Sequence, residues 1–140
     1  MGYESIPAPG LLADVILVIH AGIVLFAVLG QALIMLGGPL GWPWVRGFWL
    51  RISHLVLVVY VAVQAWLGEL CPLTIWEHEL RRAAGQSPHD RGFVEFWVSQ
   101  LVYYDFPPWV FVLMYTGFAF LVVLTWWWLP PRWPFGRPRK

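Results

Sequence analysis

The chain has 140 residues, of which 59% are hydrophobic and 12% are charged, and its formal net charge is +1. Soluble globular proteins carry about 25% charged residues, so this composition excludes a fully water-covered surface and predicts that lipid covers part of the molecule. The low net charge argues against nucleic acid as a partner, because duplex binding draws on a basic face that neutralises several phosphates. The length is that of about one domain.

Three apolar stretches are long enough to be transmembrane helices, and we expect them at about 11–36, 48–67 and 109–129. The first covers about 39 Å as a helix, which exceeds the ~30 Å hydrocarbon core and implies tilt. We therefore predict an all-α integral membrane helical bundle with about three transmembrane helices, forming a single membrane domain over residues 1–140.

The N-terminal flank of the first span differs from that of a secretory signal peptide. It contains the acidic Glu4, and the first basic residue of the chain is Arg46. A signal peptide begins with basic residues, so the first apolar stretch is expected to be a retained span.

The segment between the second and third spans, residues 69–106, is expected to form a polar, interfacial helical cap. Within it, residues 93–104 are apolar but few. Apolar stretches of ten to fourteen residues are more often interfacial or re-entrant than spanning. We therefore do not expect a fourth crossing.

The first half of the cap contains signals for a surface helix. Thr74 and Glu77 have the spacing of a capping box, and Gly85 is suited to the residue after a helix end, which together predict a helix at about 75–84. Glu77 and Arg81 have the i, i+4 spacing of a helical ion pair.

Three crossings place the two ends of the chain on opposite faces, here called side A for the N-terminal face and side B for the other. Six Lys and Arg residues belong to side B and three to side A: Arg46, Arg51, Arg132, Arg137, Arg139 and Lys140 against Arg81, Arg82 and Arg91. The positive-inside rule then predicts a cytoplasmic side B, with the N-terminus outside and the C-terminus in the cytoplasm. Tryptophans near both ends of the spans fit aromatic belts.

Two histidines lie inside predicted spans, where ionisable groups are costly and point to a functional site. His20 lies in the first span and His54 in the second. Such imidazoles could ligate haem or a chlorin. Their estimated depths differ by about seven residues, or ~10 Å, which is awkward for one metal held by both. The alternative is interhelical hydrogen bonding, with His20 and Gln31 on one helix face.

A second group of polar residues is expected on side A. It offers His20, Cys71 and Glu77 as candidate metal ligands, and mixed histidine, cysteine and carboxylate ligands suit zinc or copper. The spacing matches no known metal motif. Each residue also has a structural interpretation, such as helix capping for Glu77 and burial before a proline for Cys71.

The sequence contains no Gly-X-Ser-X-Gly elbow, no glycine-rich phosphate loop and no His-Glu-X-X-His pair. It therefore does not assign an enzymatic reaction.

The order of several features resembles a known family. Asp14 precedes His20 by six residues, His54 follows early in the second span, and Cys71-Pro72-Leu73-Thr74 is followed by Glu77, Leu80-Arg81, Gly85 and Phe93. From about residue 11 to 128 this pattern resembles a bacterial family of small membrane proteins, domain of unknown function 2784. The resemblance implies a bacterial inner-membrane helical protein and no particular activity.

Three kinds of function remain open. An accessory or assembly subunit of a larger membrane complex is favoured by the small size, by the missing catalytic motifs and by the small residues Gly22, Ala27 and Gly30, which permit close helix contact. The alternatives are a haem- or pigment-binding redox protein that uses His20 and His54, and a metal or thiol site on the non-cytoplasmic face.

Overall fold

The computed structural model describes residues 5–88 and 93–132, and that part of the chain is all-helical. One short 3-10 turn at Pro43–Arg46 joins the first two α-helices. The α-helices are α1 (Pro9–Gly37), α2 (Phe48–Leu67), α3 (Pro72–Ala83), α4 (Phe93–Val102) and α5 (Pro108–Trp128). The predicted all-α fold is confirmed.

Three of these helices, α1, α2 and α5, are long and apolar enough to cross a membrane. They contain 29, 20 and 21 residues, which correspond to about 44, 30 and 32 Å of helix. Their bounds lie within two residues of the predicted spans. The chain is therefore a membrane protein with three candidate crossings.

The cap between α2 and α5 contains two short helices. α4 has only ten residues, about 15 Å, and cannot reach across a ~30 Å core. The prediction that this apolar segment does not span is confirmed. α3 packs closely against α1, which holds the cap on the N-terminal half of that helix.

The bounds of α3 correct one sequence prediction. Pro72 occupies the first turn and Cys71 is the N-cap, with no side-chain capping bond. A proline at this position has its φ preset for a helix start, so α3 begins before the expected capping box and Thr74 lies inside the first turn. The predicted stop is confirmed: Gly85 has φ 76°, and the amide of Gln86 donates to the carbonyl of Arg81 at 2.8 Å.

Contacts at the two ends of the bundle agree with three spans that alternate in direction across the membrane. On side B the amide of Arg132, just after α5, donates to the carbonyl of Arg46, just before α2, at 2.8 Å. On side A the Arg81 guanidinium of the cap lies 3.2 Å from Asp14 near the start of α1. Some residues used in the signal-peptide and orientation arguments lie outside the described residues: Glu4, Arg91, Arg137, Arg139 and Lys140.

The interior of the described bundle is as polar as it is apolar. Nine hydrophobic and nine polar or charged residues are buried, together with Gly37 and Pro131; the polar ones are His20, Gln31, Arg51, His54, Thr74, Glu77, His78, Ser99 and Thr125. In lipid, apolar side chains gain little by leaving the surface, whereas polar groups must find partners inside. The buried polar residues therefore mark where the helices are held together.

Candidate functional site

The contact between α1 and α3 gathers polar side chains on side A. We call this group the cap cluster; it consists of Asp14, His20, Thr74, Glu77, His78 and Arg81. On α3 the members recur at i, i+3, i+4 and i+7, which places them on one helix face. Thr74, Glu77 and His78 are buried, as is His20 on α1. His20 therefore faces protein within the bundle.

Arg81 links the two helices of the cap cluster. Its Nε donates to Oε1 of Glu77 at 2.8 Å, and its Nη1 lies 3.2 Å from Oδ1 of Asp14. The predicted Glu77 to Arg81 ion pair is thus confirmed. Burial lowers the pKa of the Arg81 guanidinium, but the Glu77 and Asp14 carboxylates outweigh burial, so its pKa lies above the ordinary value. Arg81 stays charged at any working pH.

The Glu77 carboxylate also acts electrostatically on the His20 imidazole, so α3 brings its buried acid to the intramembrane histidine of α1. Glu77 is only 3% exposed and His20 only 6%. Side A thus holds two buried, titratable residues from different helices that lie within electrostatic range of each other.

The Thr74 hydroxyl is buried and has no hydrogen-bond partner among the described residues. A threonine inside a helix usually donates to the carbonyl four residues earlier, as Thr125 does to Leu121 at 2.8 Å. For Thr74 that residue is Leu70, which precedes α3 and is not helical. Sequence analysis assigned Thr74 to capping and so missed its place in the cluster.

The metal hypothesis gains no geometric support. Over residues 5–88 and 93–132, no group of three or more His, Cys, Asp and Glu side chains is placed to hold a metal ion. Cys71 therefore does not join His20 and Glu77 in such a group. A metal or thiol role of His20, Cys71 and Glu77 stays a hypothesis.

His54 lies on a different level of the bundle from His20. Its Nε2 is 2.7 Å from the carbonyl oxygen of Ala27, and its ring packs edge-on against Phe26 at 5.6 Å between centroids. Ala27 follows His20 by seven residues, about 10 Å along α1. The expected difference in depth is therefore present, and one ion cannot bind both imidazoles. Haem or chlorin binding by either histidine stays a prediction.

A second polar contact, at the other end of the bundle, was missed from the sequence. Nε2 of Gln31 donates to Oγ1 of Thr125 at 2.7 Å, which joins α1 to α5. Arg51, only 1% exposed, donates to the carbonyls of Leu129 at 2.8 Å and Thr125 at 3.2 Å. Sequence analysis counted Arg51 only as a topology charge, although an arginine in the first turn of an apolar span is itself an indication of an internal partner.

The fold and these contacts define a three-span helical membrane protein with a polar cap on one face. The match with the family described as "Protein of Unknown function (DUF2784)" covers residues 10–131, so the chain belongs to that family. No curated protein matches the chain. No solved structure matches it either.

Proposed function

We propose that this protein is an accessory or assembly subunit of a larger membrane complex and that the middle of α1 contacts a transmembrane helix of a partner. One observation carries the proposal. A Cβ atom added at Gly22 would meet no described atom within 4 Å. The side chains around it are apolar and exposed: Val18, Ile19, Leu25 and Leu29.

The two glycines in the middle of α1 differ in what they contact. At Gly30, an added Cβ would lie 3.1 Å from Cδ2 of His54, so this glycine serves the contact with α2. Gly22 serves no contact within the described residues, although glycine costs about 1 kcal/mol relative to alanine inside a helix. Small residues in transmembrane helices let two backbones approach closely. A partner helix over Gly22 would account for its presence.

The proposal includes the bacterial inner membrane as the location, with side B in the cytoplasm and the N-terminal face outside. The six-to-three excess of Lys and Arg on side B supports this orientation. The cap would then present α3 and α4 to the non-cytoplasmic face.

The test is affinity purification of the tagged full-length chain from its native membranes in a mild detergent. We expect the wild-type chain to migrate within a larger complex on native gels. The variant Gly22→Leu should leave that complex, because leucine occupies the space that the partner backbone needs. Gly117→Leu is the comparison variant: Gly117 of α5 also meets nothing within 4 Å, so it tests whether the partner contacts α5 instead of α1.

Three results would overturn the proposal. The first is a wild-type chain that purifies alone as a monodisperse species with stoichiometric haem or metal and transfers electrons. The second is equal retention of both glycine variants in the complex. The third is equal loss of both, which would remove the assignment to α1.

A further inference from the structure

The side-B end of the bundle gathers three arginines from two helix ends. Arg46 precedes α2 and Arg132 follows α5, and a backbone hydrogen bond of 2.8 Å from the Arg132 amide to the Arg46 carbonyl joins their chains. A parallel bridge between Gly47 and Arg132 extends this contact. Arg51 lies in the first turn of α2, close enough for the Arg46 charge to act on it. We call these three residues the arginine cluster.

The buried member of the arginine cluster is held by neutral groups. Arg51 donates to the carbonyls of Leu129 and Thr125, and its guanidinium lies 5.5 Å from the centroid of the Trp126 ring. The exposed carbonyls at a helix C-terminus carry only about half a negative charge. They therefore do not cancel the Arg51 charge, and they leave Arg46 and Arg132 without compensation.

No carboxylate compensates the cluster in the part of the chain that the structure describes. There, every ion pair uses Arg81 or Arg82 of the cap. The acidic residues of that part all lie on or beside side A: Asp14, Glu69, Glu77, Glu79, Glu95 and Asp105. Trp126 adds a further donor, because its Nε1 is buried with no acceptor among the described residues. The described part of side B thus carries three cations and one unpaired indole N–H but no carboxylate.

We propose that the arginine cluster binds the phosphate of an anionic phospholipid. The exposed Arg132 and the half-buried Arg46 contact the phosphate, and Arg51 adds its charge from beneath. A lipid is favoured over free phosphate because the cluster lies at the end of the apolar spans, beside two exposed tryptophans. Trp42 and Trp44 stack at 6.0 Å with an interplanar angle of 16°. Tryptophans are enriched at headgroup level, and basic pockets between transmembrane helices bind anionic headgroups.

The test compares lipid binding by the purified full-length chain in nanodiscs. Native mass spectrometry would count the phosphatidylglycerol molecules retained by the wild-type chain, by Arg46→Gln/Arg132→Gln and by Arg82→Gln. Arg82→Gln is the matched control, because it removes one exposed cation from the cap at the opposite end. Circular dichroism would check that every variant keeps its helix content. The same measurement is made in phosphatidylcholine nanodiscs and, separately, with added inorganic phosphate as a competitor.

We expect the wild-type chain to retain phosphatidylglycerol in preference to phosphatidylcholine. Apparent affinity should fall about fivefold for each arginine removed from the cluster, since each surface Lys or Arg contributes ~1 kcal/mol towards anionic lipid. Arg82→Gln should retain the wild-type amount. Equal retention by the wild-type chain and the double variant would overturn the proposal, as would equal loss in Arg82→Gln. Displacement of the lipid by millimolar inorganic phosphate would overturn the assignment to a lipid headgroup.

Discussion

Nε2 of His54 lies 2.7 Å from the carbonyl oxygen of Ala27, and a carbonyl can only accept a hydrogen bond. The Nε2 atom must therefore carry the proton in this arrangement, and it cannot ligate a metal without giving up the bond. The contact joins α2 to α1, two helices that otherwise pack against other partners. His54 consequently serves as a link between the two helix pairs, α1 with α3 and α2 with α5.

We predict that His54→Leu weakens the bundle. The variant removes an interhelical hydrogen bond, typically ~0.6 to 2 kcal/mol in membranes, and the edge-on contact with Phe26. Unfolding of the purified chain in mixed micelles would measure the loss. Ser53→Ala is the control, because the exposed Ser53 hydroxyl donates only to Leu50 of its own helix. If the two variants unfold alike, His54 has no linking role. Loss of a haem absorbance band in His54→Leu would instead support the pigment hypothesis.

The two glycines of α1 should respond differently to alanine. Gly22→Ala meets nothing within 4 Å and should stabilise the isolated chain by up to ~1 kcal/mol through helix propensity. Gly30→Ala places a methyl group 3.1 Å from Cδ2 of His54, which forces the imidazole to shift. We expect it to be about 1 kcal/mol less stable than Gly22→Ala. The same micelle unfolding assay checks this difference, and equal stabilities would contradict the close approach of His54.

Sequence patterns predicted the bounds of the three long helices to within two residues, because apolar length decides what can cross a bilayer. They could not identify the partners of Gln31 and Arg51, since nothing along the chain shows that the end of α5 meets the start of α2. The wrong start predicted for α3 had a different cause. Pro72 is itself a helix-start signal, and it lies two residues before the Thr74 of the capping-box pattern. On side A, spacing along the chain predicted only the contact within α3, the ion pair of Glu77 and Arg81.

The hydrogen bond between Gln31 and Thr125 should appear as a coupling energy. Thr125→Val leaves the buried Gln31 amide without its acceptor and should cost about 1–3 kcal/mol. Adding Gln31→Leu removes the unpaired amide, so the double variant should recover part of the lost free energy of unfolding. A double-mutant cycle of unfolding free energies would give a coupling of roughly 0.6–1.7 kcal/mol. Additive effects would show that the two side chains do not interact.

Glu77 should matter more to the cap than the other carboxylate that contacts Arg81. Glu77→Gln replaces the buried carboxylate that accepts from Arg81 with a neutral amide and should cost about 1.5–3 kcal/mol. Asp14→Asn should cost less than ~1 kcal/mol, because the Asp14 side chain is 63% exposed. Hydrogen exchange of the α3 amides would report the loosening of the cap. Equal protection in both variants would contradict the central place of Glu77 in the cap cluster.

Cys71 provides a natural reporter of orientation, since it is the only cysteine and belongs to side A. In right-side-out membrane vesicles, a membrane-impermeant maleimide should label Cys71 without permeabilisation. Leu40→Cys in a Cys71→Ser background places the thiol at an exposed side-B position and should react only after the vesicles are opened. The reverse pattern would invert the proposed orientation.

The bonds from Arg51 to the end of α5 also affect how the chain matures during synthesis. Arg51 and its acceptor Thr125 are 74 residues apart, so at about 5–20 residues per second the acceptor is made roughly 4–15 s after the arginine. The interval is longer for Gln31, which is 94 residues from the same threonine. Until α5 inserts, the first two spans expose a cation and an amide whose permanent acceptors have not yet left the ribosome. The nascent hairpin is thus a transient state in which two polar side chains lack their final acceptors, and the arrival of the last helix completes it.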